Sequence, residues 1–427
     1  MTDASRIGQI PVVRRPTAPL SDVAADWAES GLVALTGHPG RPALMPPGAA
    51  ASRARELSSH LSAATASGGP KVDVDGARLL AERAALLGLT RRGRISPGGG
   101  CRLLPSADGW AAVSCVRPDD PHLLAAAIGA AVDVGNPWPR VSEWVRGHCG
   151  AELAERAELL GVAAGPVDPR PRPDQAPDPL RPRSVTGALV VDFSALWAGP
   201  LCAHLLGLAG ARVVKVETPD RLDGARRGNP DFYALLHHGH ESVVLDPSDP
   251  AGRRALHALV DAADIVVEAS RPRALARFGL DAEAAVASGA VWVSITAAGR
   301  NSDRIGFGDD IAAAAGLVAV DHDGAPVFVG DAIADPLTGL TAAALAMSTP
   351  VGGAGMLWDI SMTDVVANTL SPARSAMVRQ EQDTWVIESA TGSIPVHPPR
   401  ARMPRGPAPR PGADTTDVLR SLGITPP

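Results

Sequence analysis

At 427 residues the chain has room for two or three domains rather than one. Its composition, 45% apolar and 20% charged, is that of a globular protein, and a net charge of −6 argues against a nucleic-acid binder. Four scattered cysteines (Cys101, Cys115, Cys149, Cys202) form no Cys-x-x-Cys pair, no apolar core of signal-peptide length opens the chain, and no run of about 18 apolar residues occurs, so the expectation is a cytoplasmic protein with no metal, disulfide framework or membrane contact.

In chain order, residues 1–20 are polar with scattered prolines and read as an extension. From Ser21 to Ala66 the pattern predicts a helix, a short apolar stretch at Gly31–Leu35, a Pro/Gly loop and a second helix over Ala49–Ala64. Val72–Leu87 has helical apolar spacing, and Gly93–Gly100 is a glycine-rich loop. Cys101–Leu104 and Trp110–Val116 pair as strands about the Ala107-Asp108-Gly109 turn, followed by helices over Pro121–Val132 and Val141–Leu160. Residues 165–184, with seven prolines and few apolar side chains, form a stiff linker.

Beyond the linker a different rhythm begins. Leu189–Phe193 is an apolar run, Ser194–Gly199 a turn, and Pro200 suits the first position of a helix that stops at Gly210; Val213–Val216 is a second apolar run. Strand, helix and strand in some 30 residues make a right-handed βαβ unit, which places ligands at the carboxyl ends of its strands. Further strands at Ser242–Leu245, Ile265–Glu268 and Val291–Thr296 alternate with helices, the first capped by Ser248 or Asp249 ahead of Pro250. The fold class is therefore α/β, a parallel Rossmann-like sheet flanked by helices plus a smaller α+β domain. Asp310–Val320 reads as an apolar helix, Pro326–Gly330 as a strand and Leu337–Met347 as a helix; the Pro/Arg-rich tail beyond Ala390 is expected to be disordered or wrapped on the surface. There is also an internal echo: SGLVALTGHPGRPALMPPGA at Ser30 is similar to AGLVAVDHDGAPVFVGDAIA at Ala315.

Several strings in the second half, in the right order over some 160 residues, resemble the family III coenzyme A transferases, which include formyl-CoA and carnitine-CoA transferases and methylacyl-CoA racemases. They are Asp192 with Ala198-Gly199-Pro200, Gly210-Ala211 with Lys215-Val216-Glu217, then Pro219, Asp223 and Arg226, Ser242 to Asp246, Val267-Glu268 with Arg271-Pro272, Ser294-Ile295-Thr296 with Gly299, and Asp335 with Leu337-Thr338-Gly339. The first half resembles the same family out of order: Ser30–His60 is similar to the region after the family's catalytic aspartate, and Arg94–Val116 and Trp144–Val167 to its small domain. The resemblance thus implies a permuted or partly duplicated chain. Its parts are an extension (1–20), a repeated helical segment (21–70), a small α+β domain (71–166), a linker (167–184), a Rossmann-like CoA-binding domain (185–370) and a partly disordered C-terminal extension (371–427).

The resemblance also implies chemistry. A carboxylate attacks an acyl-CoA thioester, and coenzyme A passes to an acceptor carboxylic acid through an anhydride and an enzyme thioester. Gly308-Asp309-Asp310-Ile311 matches the family's aspartate, with Asp310 first by its following Ile and Asp309 second by its distance to Gly316; a helix cap is the alternative role for either. The CoA thioester is a substrate, with no tightly bound cofactor. Ala198, Gly199, Pro200, His204, Glu217, Arg226 and Arg271 are the expected CoA-binding positions. One departure is His237-His238-Gly239-His240-Glu241, which replaces a basic loop of the family. Gly98-Gly99-Gly100 is either a turn or a loop approaching the thioester. An acyl-CoA racemase and a non-catalytic CoA-ester binder remain alternatives, the first disfavoured because no histidine lies between His257 and His322 to supply a base beside Asp310. The expected partners are acyl-CoA, a carboxylic acid and a second copy of the chain.

Overall fold

The computed structural model describes residues 20–66, 68–168, 175–269, 272–350, 355–370, 377–381, 384–389 and 392–427. Residues 1–19, the heart of the linker (169–174) and Arg271 lie outside the described residues.

The strands in chain order are β1 (Cys101–Ser106), β2 (Gly109–Ser114), β3 (Ala164–Pro166), β4 (Leu189–Asp192), β5 (Arg212–Glu217), β6 (Glu241–Val244), β7 (Ile265–Glu268), β8 (Val291–Thr296), β9 (Val318–Val320), β10 (Pro326–Phe328), β11 (Met356–Ser361), β12 (Val378–Glu381), β13 (Thr384–Ser389) and β14 (Gly392–Pro395). Six of them form one parallel sheet in the order β11-β8-β7-β4-β5-β6. The chain leaves β4 toward β5 and β6, then returns to β7 on the other side. The order therefore reverses between β4 and β7, which opens a crevice at their carboxyl ends.

Alternation along the strands divides the core. Val190, Val213, Ile265, Val267 and Val293 face one side, where the helices Ala198–Leu208 and Ala334–Ala346 pack together with the N-terminal helix Ala50–Ala64. Leu189, Val191, Val214, Val266 and Trp292 face the other, against the helix Pro250–Asp261. A separate core forms around β2 and β3 with the helices Asp120–Ile128, Trp138–Gly147 and Gly150–Leu160. Residues 24–84 thus contribute their apolar side chains to the large sheet's core, not to that of the small antiparallel unit. The two echoing segments lie side by side: Gly330 N–H donates to Thr36 Oγ1 at 3.4 Å, and His38 Nε2 lies 2.9 Å from Asp321 Oδ2.

Several local expectations change. Val72–Leu87 is not one helix: Asp75 caps Gly76–Leu79, and Glu82–Leu87 begins afresh. Val141–Leu160 divides at His148–Cys149, where the backbone is extended. The helix expected over Asp310–Val320 is Gly308–Ala314 and no longer, because Gly316 turns the chain at φ +94° and Val318–Val320 pairs with β10. Pro200 stands at the third helical position, still within the turn whose N–H groups have no intrahelical partner. Asp249, not Ser248, caps the helix at Pro250 by accepting Gly252 N–H at 2.8 Å. The tail is docked along the surface: its helix Thr415–Ser421 buries Val418 and Leu419, and Asp414 accepts Ser242 N–H at 2.7 Å. Strands β11 to β14 have no counterpart among the sequence-predicted elements.

Candidate functional site

Two helices begin beside each other next to the crevice side of the sheet. Gly308–Ala314 carries Asp309 and Asp310 in its first turn, and Ala334–Ala346 carries Asp335 in its own. Gly308 N–H donates to Asp335 Oδ2 at 3.1 Å and ties the two helix starts together. The second helix packs on Ala198–Leu208, whose first turn opens from β4.

The adjacent aspartates differ sharply. Asp310 is fully buried; its Oδ1 accepts Ser114 Oγ–H at 2.8 Å and Phe307 N–H at 2.9 Å, so it reaches back over the helix start as a capping residue does. Burial pushes its carboxyl up to about 6, opposed by Arg304, Ser114 and the Phe307 amide. Asp309 is half-buried, and its Oδ1 accepts Ala332 N–H at 2.7 Å. Burial first, then the charge of Asp331, raises Asp309 to about 7, while Arg83, the Ala332 amide and Ser96 pull the other way. Asp335 also rises to about 7, through burial opposed by Arg83 and reinforced by Asp309 and Asp310.

Arg83 supplies the positive charge. Its Nε and Nη2 grip the fully buried Asp331 at 2.8 and 2.7 Å, and its guanidinium lies 5.5 Å from the ring centroid of Trp197, the residue ahead of helix Ala198–Leu208. Gly98 lies against the same pair: a Cβ there would sit 3.0 Å from Arg83 Nη2 and 3.3 Å from Asp331 Oδ1. Gly98, the first residue of the glycine run, therefore lies against the carboxylate cluster where a side chain would crowd it, while Gly99 faces Arg92 and Gly100 faces Val116. Among the described residues only Leu196 (φ +72°) and Ala332 (φ +46°) hold a positive φ without being glycine, and both flank this region. Backbone held in that conformation clusters at functional sites.

The expected CoA-binding residues divide. Ala198, Gly199 and Pro200 are buried in the helix turn at the crevice. Glu217 and Arg226 pair with each other at the end of β5, Arg226 Nε reaching Glu217 Oε1 at 2.9 Å. The Nη1 of Arg226 donates to the Pro409 carbonyl at 3.0 Å, and its guanidinium lies 4.7 Å from the Tyr233 ring centroid, so this arginine is committed inside the fold. His204 is 3% exposed, with Nε2 against Arg402 Nη1 at 3.1 Å; burial and then Arg402 hold its imidazole well below the ordinary histidine range. His237 and His240 are likewise buried, and burial lowers His240 to about 3. Within the histidine run His237 and His240 are thus interior, while His238 is half-buried and Gly239 exposed. Sequence reasoning missed Arg83, Ser96, Ser114 and Asp331. Arg83 has no local signal at all, since it meets Asp331 across 248 residues.

Residues 185–395 match the family model for CoA-transferase family III. Curated relatives include the succinate–glutarate CoA-transferase of Agrobacterium fabrum, 28% identical over 217 residues, covering 45% of this chain and 54% of the relative. The succinyl-CoA:glutarate CoA-transferase of Mus musculus is 29% identical over 262 residues, covering 57% of this chain and 59% of the relative. The chain spans a little over half the length of these relatives. A CAIB/BAIF family protein from Brucella suis has a solved structure similar to this one at a TM-score of 0.42 and 25% identity, covering 50% of this chain and 65% of that chain. Among the described residues no helix is long and apolar enough to cross a membrane. The second half of the chain, residues 185–395, is thus similar to CoA-transferase family III.

Proposed function

We propose that the protein transfers coenzyme A from an acyl-CoA thioester to a carboxylic acid, with Asp309 as the nucleophile. The observation that carries this reading is the half-buried residue Asp309 within the electrostatic reach of the Arg83–Asp331 pair, against which Gly98 lies, in a chain whose second half matches this family. Asp309 is preferred to Asp310 because Asp310 has no exposed surface and spends an oxygen on Ser114 and Phe307.

In the first step an Asp309 oxygen bonds to the thioester carbonyl carbon, the C–S bond breaks, and CoA leaves as a thiolate from a mixed anhydride. The thiolate then attacks the Asp309 acyl carbon, releases the donor acid as a carboxylate and leaves an aspartyl-CoA thioester. The acceptor carboxylate repeats both steps in reverse, which restores Asp309. Each addition places negative charge on a carbonyl oxygen, and the backbone N–H groups of Gly98, Gly100, Ala198 and Gly199 are the donors for it; Gly99 N–H is spent on the Ser96 carbonyl at 2.8 Å. Ala198, Gly199 and Pro200 also offer a helix N-terminus to the thioester end of CoA. A homodimer in a reducing, cytoplasmic setting belongs to the same reading.

A racemase on the same fold would use a carboxylate pair around the α-carbon, and Asp335 beside Asp309 supplies a second titratable group. The test is incubation with succinyl-CoA and hydroxylamine. Transfer predicts one hydroxamate, at Asp309, mapped by mass spectrometry. Deuterium exchange at the α-carbon of a branched acyl-CoA, with no trapped aspartate, would give the site to racemisation. CoA-ester affinity with neither event would leave a binding protein.

A further inference from the structure

The register of β4 and β5 sets Asp192 directly opposite Lys215. Both side chains leave the sheet on the face covered by helix Ala198–Leu208, as Val190 and Val213 do two residues earlier. Lys215 Nζ lies 3.5 Å from Asp192 Oδ2 and 3.2 Å from Asp223 Oδ2, and the three side chains are at most 1% exposed. Two carboxylates and one ammonium withdrawn from water leave a net negative charge in the interior, an arrangement that apolar packing would make unnecessary.

The remaining oxygens of the triad show what it holds. Asp192 Oδ1 accepts Ser194 N–H at 2.8 Å and also the Ser194 hydroxyl, while Lys215 Nζ donates to the Ser194 carbonyl. Asp223 Oδ1 accepts Leu196 N–H at 3.0 Å and Ala225 N–H at 2.9 Å. Leu196 is kept at φ +72°, a conformation that a leucine adopts only under constraint, with 44% of its surface exposed at the crevice. Trp197 follows, stacks under Arg83 and opens the helix. The triad therefore grips a five-residue loop from both sides, at the point where the strand order reverses.

We infer that Lys215 is a positioning residue that, with Asp192 and Asp223, locks the Phe193–Trp197 loop in the backbone conformation that presents the helix N-terminus to the acyl-CoA thioester. The identity of that ligand rests on the transferase reading; the clamp itself does not.

The test is the double variant Asp192→Asn/Lys215→Met, which keeps the triad's net charge through Asp223 and the Ser194 N–H bond through the Asn carbonyl. It is expected to raise KM for succinyl-CoA about tenfold or more while kcat stays within about threefold. Hydrogen exchange of the Ser194–Trp197 amides should accelerate by a similar factor, with β7 and β8 unchanged. Wild-type KM and wild-type protection of the loop in the folded variant would overturn the proposal, as would faster exchange across the whole sheet with KM unmoved. If the double variant does not fold, the same measurements on Lys215→Arg, which retains the cation on a bulkier head, decide between the same outcomes. If the wild-type protein shows no affinity for succinyl-CoA, the transferase reading fails, and loop exchange alone then judges Lys215.

Discussion

Asp309 Oδ1 accepts the backbone N–H of Ala332 at 2.7 Å, and Ala332 offers that N–H from a left-handed backbone with φ +46°. The local strain and the candidate nucleophile are thus joined by one hydrogen bond. An alanine held there costs roughly 1–2 kcal/mol, which glycine would avoid at the expense of up to about 1 kcal/mol of chain entropy. Ala332→Gly should leave turnover intact and the melting temperature equal or slightly higher. Ala332→Val, branched at Cβ, should lower both by moving the N–H away from Asp309. Thermal unfolding and succinyl-CoA turnover on the two variants check this; a harmless Ala332→Val would mean that the bond is idle.

The neighbouring aspartates should separate cleanly. Asp309→Asn is expected to lower turnover by about a thousandfold or more with CoA affinity retained, since an amide cannot attack the thioester. Asp310→Ala should cost roughly 1–2 kcal/mol of stability, because it removes a cap and strands Ser114 and the Phe307 amide, while Asp310→Asn keeps an acceptor and recovers most of it. Denaturant unfolding and turnover distinguish the two residues. Loss of activity in Asp310→Asn with full activity in Asp309→Asn would reverse the assignment.

Raised carboxyls give a defined pH response. Asp309 must be ionised to attack, so kcat/KM should rise with pH through about 7 and level off above it. For stability the sign runs the other way: a carboxyl whose folded pKa exceeds its unfolded value favours the fold at low pH, and that contribution fades as pH climbs from about 4 to about 7. Asp335→Asn removes this penalty and keeps an acceptor for Gly308 N–H. Its melting temperature relative to the parent should therefore be higher at pH 8 than at pH 4.5. Equal differences at the two pH values would contradict the raised Asp335.

Arg83 is the cation on which the cluster depends. Arg83→Met would leave Asp331 buried without its partner, a loss of about 3–5 kcal/mol. It would also remove the charge that restrains Asp309, so the acid limb of the pH–rate profile should move upward. Arg83→Lys keeps the charge but not the two-pronged grip, so it should shift the limb less and still weaken the fold. A pH profile unchanged in Arg83→Met would separate Arg83 from the reactive carboxylate.

The parallel sheet was legible because its strands are short apolar runs between glycines and capped helices, a local pattern. The hairpin of β1 and β2 was legible from the Asp108-Gly109 turn. Helix ends were read less well. Gly316 and the extended His148–Cys149 break look unremarkable in one dimension, and they end helices because β9 pairs with β10 and because Gly150 starts a new turn. Of the candidate site, the sequence marked Asp309 and Asp310 but not which of them retains contact with solvent. That difference comes from Ser114, on a strand of the small unit, closing over Asp310.

What the amino-acid order determined by itself was therefore the alternation of strand and helix, the family resemblance of the second half and the pair of acids at a helix start. Only the tertiary structure decided the partners: Arg83 with Asp331, Lys215 between Asp192 and Asp223, and Glu217 with the arginine expected to bind CoA. The reason is physical. Hydrophobic periodicity repeats along the chain and can be read there, whereas a buried charge is stabilised by whatever the fold brings within about 4 Å, and sheet register and helix packing set that distance.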